Sequence, residues 1–159
     1  MSAPIPARIR DVLVARLQTI RHAAGFNTDL GLALYRGRGA YTLQDLETGP
    51  ALNLYSAGEE FVDRSANQQR LALTVTIEAF SEYTTDADAT ADLLLADIKA
   101  AVLSVDEPRL TDADGPLGQR LEYVSAAVDL PNPGERMVSV TVTLRCRYFE
   151  RYGAPTLTA

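Results

Sequence analysis

The sequence predicts an α+β domain in which two helices pack on one face of a mostly antiparallel sheet of about five strands, in the order α-β-β-β-α-β-β. Two segments space their apolar residues three and four positions apart, which is typical of amphipathic helices. A third segment, residues 136–149, alternates apolar and polar side chains with great regularity. This alternation indicates a strand that is buried on one side only, as in antiparallel sheets.

The first helix is predicted from residue 5 to about residue 23. Pro4 and Pro6 fit its start, where a missing amide hydrogen costs little, and Gly25 fits its end. Its apolar face carries Ile5, Ile9, Val12, Leu13, Leu17 and Ile20. The alternating leucines of residues 30–35 then predict a first strand.

A long hairpin is predicted to follow a glycine-rich loop at residues 36–50. Residues 51–55 form its first, short strand, and residues 70–80 form its second strand, which alternates strictly. The polar residues 56–69 between them form a tip that projects from the sheet. Long connections of this kind are more often functional than accidental.

The second helix is predicted from Thr85 or Asp86 to about Leu103, because both residue types cap free amides at a helix start. Residues 104–118 then predict a loop, and residues 119–130 and 136–149 predict the last two strands. We expect one domain over residues 1–150 and a mobile C-terminal tail over residues 151–159.

The residue types offer no catalytic, metal or cofactor site. The single histidine, His22, has no cysteine or second histidine with which to build a zinc site, and the single cysteine, Cys146, falls on the apolar face of the best strand. Gly37-Arg38-Gly39 lacks the third glycine of a dinucleotide loop. Residues 112–115 favour a plain turn over a calcium loop, because the closing glutamate is missing. The sequence therefore predicts that the protein is not an enzyme and holds no cofactor.

The charge distribution indicates protein partners rather than nucleic acid or membrane. The net charge of −6 opposes sequence-specific binding of nucleic acid. No apolar stretch approaches the roughly 20 residues of a spanning helix, and no signal peptide is evident, so we expect assembly in the cytoplasm. Residues 1–40 carry six arginines and two acids, whereas residues 41–159 carry nine basic and nineteen acidic side chains. Head-to-tail contact between unlike surfaces would suit this asymmetry.

Two groups of side chains are candidates for contacts between chains or with a larger assembly. The basic group would meet acidic patches on neighbouring subunits, although a codon bias toward arginine is an alternative explanation; it comprises Arg8, Arg16, Arg36 and Arg38, with Arg10 beside them. The group at the hairpin tip combines apolar and charged side chains, and its alternative is to fold back onto the sheet; it comprises Glu59, Glu60, Phe61 and Arg64.

Several segments resemble the tail terminator proteins of long-tailed bacteriophages, the minor tail protein U-like group. The resemblance follows the opening helix at 9–20, the Gly-Glu-Glu tip at 58–60, the strand at 71–80, the alanine-rich helix at 91–98 and the last strand at 140–148. It covers nearly the whole chain in the same order.

This resemblance implies a homo-oligomeric ring, usually a hexamer, at the head-proximal end of the virion tail. The ring would cap the tail tube, stop its polymerisation and provide the surface for head attachment. Its partners would be the major tail tube protein and a head–tail connector protein. Two alternatives stay open: another neck component, such as a connector or tail-completion protein, and a small enzyme or ligand-binding domain with a similar sheet.

Overall fold

The computed structural model describes residues 3–37, 49–103 and 109–158, and it confirms the predicted α+β class. The helices are α1 (Ile5–Leu17) and α2 (Ala87–Val102), and short 3-10 turns cover His22–Ala24 and Leu30–Leu32. The strands in chain order are β1 (Leu34–Arg36), β2 (Ala51–Ser65), β3 (Gln68–Glu82), β4 (Arg109–Asp112), β5 (Gly115–Arg120), β6 (Glu122–Asp129), β7 (Met137–Arg151) and β8 (Ala154–Thr158).

The main sheet has the strand order β1-β2-β3-β7-β6, and β8 adds to the far end of β7. β1 runs parallel to β2, and every other neighbouring pair is antiparallel. β7 pairs with β3 over all fifteen residues, from Gln68 opposite Arg151 to Glu82 opposite Met137. At about 3.3 Å per residue, β2, β3 and β7 are each about 50 Å long.

The core lies between the two helices and one face of this sheet. Alternate residues of β7 from Val138 to Tyr148 are fully buried there, as are Leu73, Val75 and Ile77 of β3. The side chains that alternate with them on β7 are half-buried on the opposite face. The one-sided burial predicted for this strand is therefore present over its whole length.

Helix α1 starts at Ile5 as predicted but ends at Leu17, earlier than the apolar pattern suggests. Ile20 remains fully buried, so the hydrophobic pattern continues beyond the helix itself. The chain turns here because Gly31 packs against this end: its amide donates to the carbonyl of Ile20 at 2.9 Å. A side chain at this glycine would meet the carbonyl oxygens of Leu17 and Gln18 at 2.7 Å.

Helix α2 begins where the sequence predicts. Asp86 is its N-cap, and its carboxylate accepts a hydrogen bond from the amide of Ala89 at 3.1 Å. Asp97, on the buried face of α2, accepts hydrogen bonds from the amide and side chain of Asn27 and from the hydroxyl of Thr28. These bonds tie the segment after α1 to α2, and satisfy a carboxylate that is only 2% exposed.

Three predicted segments differ from the structure. The strand expected at residues 30–35 is replaced by a 3-10 turn followed by the short β1, and Leu32 is exposed instead of buried. Within the loop expected at residues 104–118, residues 109–112 and 115–118 form strand, because β4 and β5 pair across a turn where Gly115 has φ +118°. The strand expected at 119–130 divides at Leu121, since β5 pairs with β4 and β6 pairs with β7.

The hairpin of β2 and β3 is present but does not project from the sheet. β2 extends to Ser65, fifteen residues instead of the predicted five, and β7 flanks β3 along the whole hairpin. The segment expected to be a mobile tail contains β8, which pairs with β7 through Arg151 and Ala154. Residues 38–48 of the predicted loop 36–50 lie outside the described residues.

Candidate functional site

Two outer strands of the main sheet are exposed, one on each side. The β2 edge, residues 56–65, is exposed at every position. The β6 edge, residues 122–129, is exposed at every position except the half-buried Glu122. Among the described residues, no strand pairs with the outer side of residues 56–65 or of β6, so backbone groups there are available to another chain.

The β2 edge holds the residues that the sequence assigned to the hairpin tip. It extends as a strand because residues 56–65 pair with β3, with bulges between Ser56 and Gly58 and between Phe61 and Asp63. The first bulge turns Glu59 toward the helix-covered face. Phe61 is 63% exposed, which is unusual for an aromatic side chain. Glu59, Glu60, Phe61 and Arg64 are therefore brought together on one strand.

The charged residues of the β2 edge are held by neighbours in the same chain. The hydroxyl of Tyr148 donates a hydrogen bond to the carboxylate of Glu59. Glu60 lies 3.8 Å from the guanidinium of Arg145 on the opposite face. The guanidinium of Arg64 stacks 4.0 Å above the ring of Tyr152. These contacts fix the edge without burying it.

The β6 edge was not singled out by the sequence reasoning. Its residues Tyr123–Val128 carry no charge, glycine or proline, yet they are all exposed. Exposed apolar side chains here include Tyr123 at 40% and Val124 at 49%. The sequence contains an uncharged run between Glu122 and Asp129 that could have drawn attention to this strand. The run alone does not show whether its side chains are buried or exposed.

The predicted basic group is dispersed over the fold. Arg8 binds Asp112 with two hydrogen bonds of 2.7 and 2.8 Å, and its side chain is only 11% exposed. Arg16 donates to the carbonyl of Val102 at the C-terminal end of α2 and to the carbonyl of Arg109 at the start of β4. Arg36 pairs with Asp11 at 2.6 Å on the surface. Arg38 lies outside the described residues, and the role of this group in contacts between chains stays a prediction.

A shallow groove lies where α1 passes β2. It has a volume of about 400 Å³ and is lined by Arg10, Arg36, Gly37, Leu54, Tyr55 and Ser56. The guanidinium of Arg10 donates to the hydroxyl of Ser56 at 2.6 Å. Burial raises the pKa of Tyr55, and the nearby carboxylate of Glu78 raises it further. The groove offers cations and hydroxyls but contains no histidine, cysteine or pair of carboxylates suited to acid–base catalysis.

The two residues most often used in catalysis lie apart from each other and from this groove. Cys146 is fully buried in β7, and burial raises the pKa of its thiol to about 12, so the reactive thiolate is not formed at neutral pH. His22 lies at the surface, 3.7 Å from Asp29. Within residues 3–37, 49–103 and 109–158, no group of three or more potential ligands is placed to hold a metal ion.

Comparisons with known proteins give similarity only at the level of solved structures. No family model matches the chain, and no curated protein matches it. One similar chain belongs to the virion of a native gene transfer agent particle, with 18% identity, coverage of 91% of this chain and 90% of that chain, and a TM-score of 0.47. Another solved structure has 15% identity, coverage of 90% and 96%, and a TM-score of 0.45.

The described helices also bear on a membrane location. Neither α1, with thirteen residues, nor α2, with sixteen, has the length and apolar character needed to cross a bilayer.

Proposed function

We propose that this protein is a structural component of a phage-type virion and acts as a tail terminator. Copies of the chain form a ring, a homohexamer by the resemblance given above, at the head-proximal end of the tail. The ring caps the tail tube, stops the addition of tube subunits and presents a surface for head attachment. Its partners are the major tail tube protein and the head–tail connector protein, and it performs no chemistry of its own.

The observation that carries this proposal is the pair of exposed strand edges on opposite sides of one sheet. A ring with cyclic symmetry above two requires two different surfaces on each subunit, one that meets each neighbour. The β2 edge and the β6 edge are such a pair, since they differ in sequence, charge and position. Together they expose seventeen strand residues, 56–65 of β2 and 123–129 of β6.

The open face of the sheet supports a second kind of contact. It carries threonines and arginines of β7, among them Thr141, Thr143, Arg145 and Arg147, which are half-buried rather than packed under a helix. Threonine and arginine side chains suit a polar contact with another protein, because one guanidinium can donate two parallel hydrogen bonds to a carboxylate. We assign this face to the tube or connector.

Deletion of the gene from its phage tests the function directly. A terminator mutant should produce tails of abnormal and variable length, because polymerisation of the tube is no longer stopped. Electron microscopy of lysates measures the tail lengths, and complementation with the wild-type chain is the control. Full heads beside unjoined tails of normal length would instead identify another neck component, and unchanged virions would refute both assignments.

A further inference from the structure

We propose that the groove between α1 and β2 is a carboxylate-binding site, which receives an aspartate or glutamate side chain of another protein in the virion. The residues that line this groove are Arg10, Arg36, Gly37, Leu54, Tyr55 and Ser56. That the partner is a virion protein rests on the proposed function, whereas the carboxylate site itself rests on the described residues alone.

The first observation is that Arg10 has no carboxylate partner among the described residues. The only side chain that its guanidinium contacts there is Ser56, whose hydroxyl accepts a hydrogen bond from Nη1 at 2.6 Å. The neighbouring Arg8 and Arg36 each bind an aspartate of the chain. Arg10 is half-buried, so its guanidinium is held in place by a neutral group while its other donors stay available to a ligand.

The second observation concerns the other charges beside the groove. Arg36 also lines it, and its Nη2 donates to the carboxylate of Asp11 at 2.6 Å. The carboxylate of Glu78 accepts a hydrogen bond from the hydroxyl of the groove residue Tyr55 at 3.2 Å. Both carboxylates therefore have partners other than Arg10, and neither pairs with its charge. A carboxylate from another chain is the group that can do so.

The third observation is that the guanidinium of Arg10 and the hydroxyl of Ser56 are positioned together for one ligand. Their hydrogen bond joins α1 to β2 just beyond Leu54, where the pairing of β1 with β2 ends. A hydroxyl that accepts one hydrogen bond still has a proton to donate. A carboxylate in the groove can therefore accept from both side chains, and its hydrogen bonds with a guanidinium are among the strong ones.

The shape of the groove favours a side chain of a protein over a free small molecule. Its volume of about 400 Å³ is sufficient for a carboxylate and the methylene groups that carry it, but the groove is shallow. Sites for small ligands usually enclose most of the ligand surface. A side chain within a larger contact does not need this enclosure, because the surrounding contacts of its own protein exclude water.

The charge of the chain favours an acidic protein over nucleic acid as the source of the ligand. The net charge of −6 repels a polyanion at long range, whereas a single carboxylate is attracted by Arg10 at short range. The groove also lies where the exposed residues 56–65 of β2 begin, so a protein that contacts this edge reaches Arg10 as well. We therefore assign the groove to a protein that projects an acidic side chain.

Nuclear magnetic resonance with acetate as the probe tests the site itself. Acetate is titrated into the isotopically labelled full chain at constant ionic strength, with chloride as the balancing anion. The Nε signal of Arg10 and the amide signal of Ser56 should shift until they saturate. The Ser56 shift should be lost in Arg10→Gln and kept in the matched control Arg21→Gln, which changes an exposed arginine outside the groove.

The contrary results of this titration are equally definite. Absence of saturable shifts in the wild type, or an unchanged Ser56 shift in Arg10→Gln, would overturn the carboxylate site. A short DNA duplex is the second probe. If the duplex shifts the same two signals, the groove binds phosphate groups of nucleic acid and the assignment to an acidic protein is overturned.

Charge reversal in the phage tests the partner. Arg10→Glu should lower the yield of infectious particles by about tenfold or more, because it sets two carboxylates against each other in the contact, whereas Arg21→Glu should match the wild type. Circular dichroism of the purified variants checks that they fold, and Arg10→Gln replaces Arg10→Glu if the latter does not. Suppressors of Arg10→Glu should change an aspartate or glutamate of a virion protein to lysine or arginine, and their position identifies the partner.

The outcomes separate the site from the function. If a folded Arg10→Glu chain gives wild-type yields, the acidic partner is refuted even where acetate binds. If acetate does not bind, the carboxylate site is refuted while the terminator role stands. If deletion of the gene leaves tail length unaffected, the terminator role is refuted, and the acetate titration still decides the site.

Discussion

Arg8 of α1 and Asp112 of β4 form an ion pair with two hydrogen bonds, Nε to Oδ2 at 2.7 Å and Nη2 to Oδ1 at 2.8 Å. The two residues are 104 positions apart in the chain. The pair attaches the small β4–β5 hairpin to the first helix, and the same guanidinium lies 3.2 Å from Asp114. Parallel hydrogen bonds between a guanidinium and a carboxylate are among the strongest polar contacts in proteins.

We expect Arg8→Ala to destabilise the fold by about 2 kcal/mol, because it leaves a partly buried carboxylate without its donor. Urea unfolding followed by circular dichroism measures the change. The matched control is Arg36→Ala, which removes the exposed pair with Asp11 and should cost below about 1 kcal/mol. Equal losses for the two variants would contradict a structural role specific to Arg8.

The same pair predicts a pH dependence. The hydrogen bonds from Arg8, followed by the amide of Asp114, hold the pKa of Asp112 below its ordinary value of about 3.9. Because the folded pKa is lowered, the ionised carboxylate stabilises the fold above the unfolded pKa, and this stability is lost as the pH falls through the folded pKa.

Asp112→Asn should therefore unfold more easily than wild type by a constant amount near neutral pH, and the difference should shrink below about pH 4. Free energies of unfolding for both proteins across this range measure the effect. A difference that stays constant down to pH 2 would mean that the pKa of this carboxyl is not lowered in the folded state.

We predict that two positions require glycine because the surrounding atoms leave no room for a side chain. A Cβ at Gly118 would lie 2.8 Å from the carbonyl oxygen of Arg147 and 2.9 Å from Sγ of Cys146, and one at Gly31 would meet the carbonyl oxygens at the end of α1. Gly118→Ala and Gly31→Ala should each cost about 1–3 kcal/mol, since neighbouring backbone must move.

The matched control for these glycines is Gly58→Ala. Among the described residues no heavy atom lies within 4 Å of a Cβ built there. The free energy of unfolding of Gly58→Ala should differ from wild type by less than about 1 kcal/mol. The change can be an increase, because alanine reduces the conformational freedom of the unfolded chain. Thermal unfolding of the three variants compares them directly, and a loss at Gly58 as large as at Gly118 would argue against steric packing as the cause.

Cys146 is predicted to be unreactive in the folded protein. Its side chain is fully buried, and burial raises the pKa of the thiol to about 12. A thiol reagent at pH 8 should label the chain only as fast as it unfolds, so labelling should accelerate with urea in parallel with the loss of structure. Rapid stoichiometric labelling without denaturant would show that the β5–β7 contact above the thiol opens readily.

The sequence predicted most accurately those elements whose side chains face a core and water on opposite sides. β7 and α2 are of this kind, and their patterns and the cap at Asp86 agree with the structure. β2 was predicted as five residues because the remainder, residues 56–65, is exposed on both faces and therefore has no alternation. The exposure of residues 56–65 on both faces made this part of β2 hard to predict, and it also makes these residues candidates for contact with another chain.

The remaining differences arise from contacts that are distant in the sequence. The β4–β5 hairpin is short, and its position is fixed by Arg8, which no local pattern connects to Asp112. The early end of α1 depends on Gly31, eleven residues beyond the carbonyl of Ile20 that it contacts. Of the eight residues that the sequence assigned to interfaces, the four of the hairpin lie together on one strand edge. Local sequence patterns could not indicate that another of the eight, Arg8, has an ion-pair partner within the same chain.

The position of β7 has a consequence for synthesis on the ribosome. This strand is central in the sheet but follows both helices and β1 to β6 in the chain, and its pairing with β3 joins residues such as Gln68 and Arg151. Until β7 has emerged, one edge of β3 is unpaired, and the core residues of β7 are missing. Pairing between strands so far apart in sequence is slow, and exposed edges are sites of misassembly. The sheet of the nascent chain therefore stays incomplete until β7 has emerged, so that copies able to join one another arise only after that point.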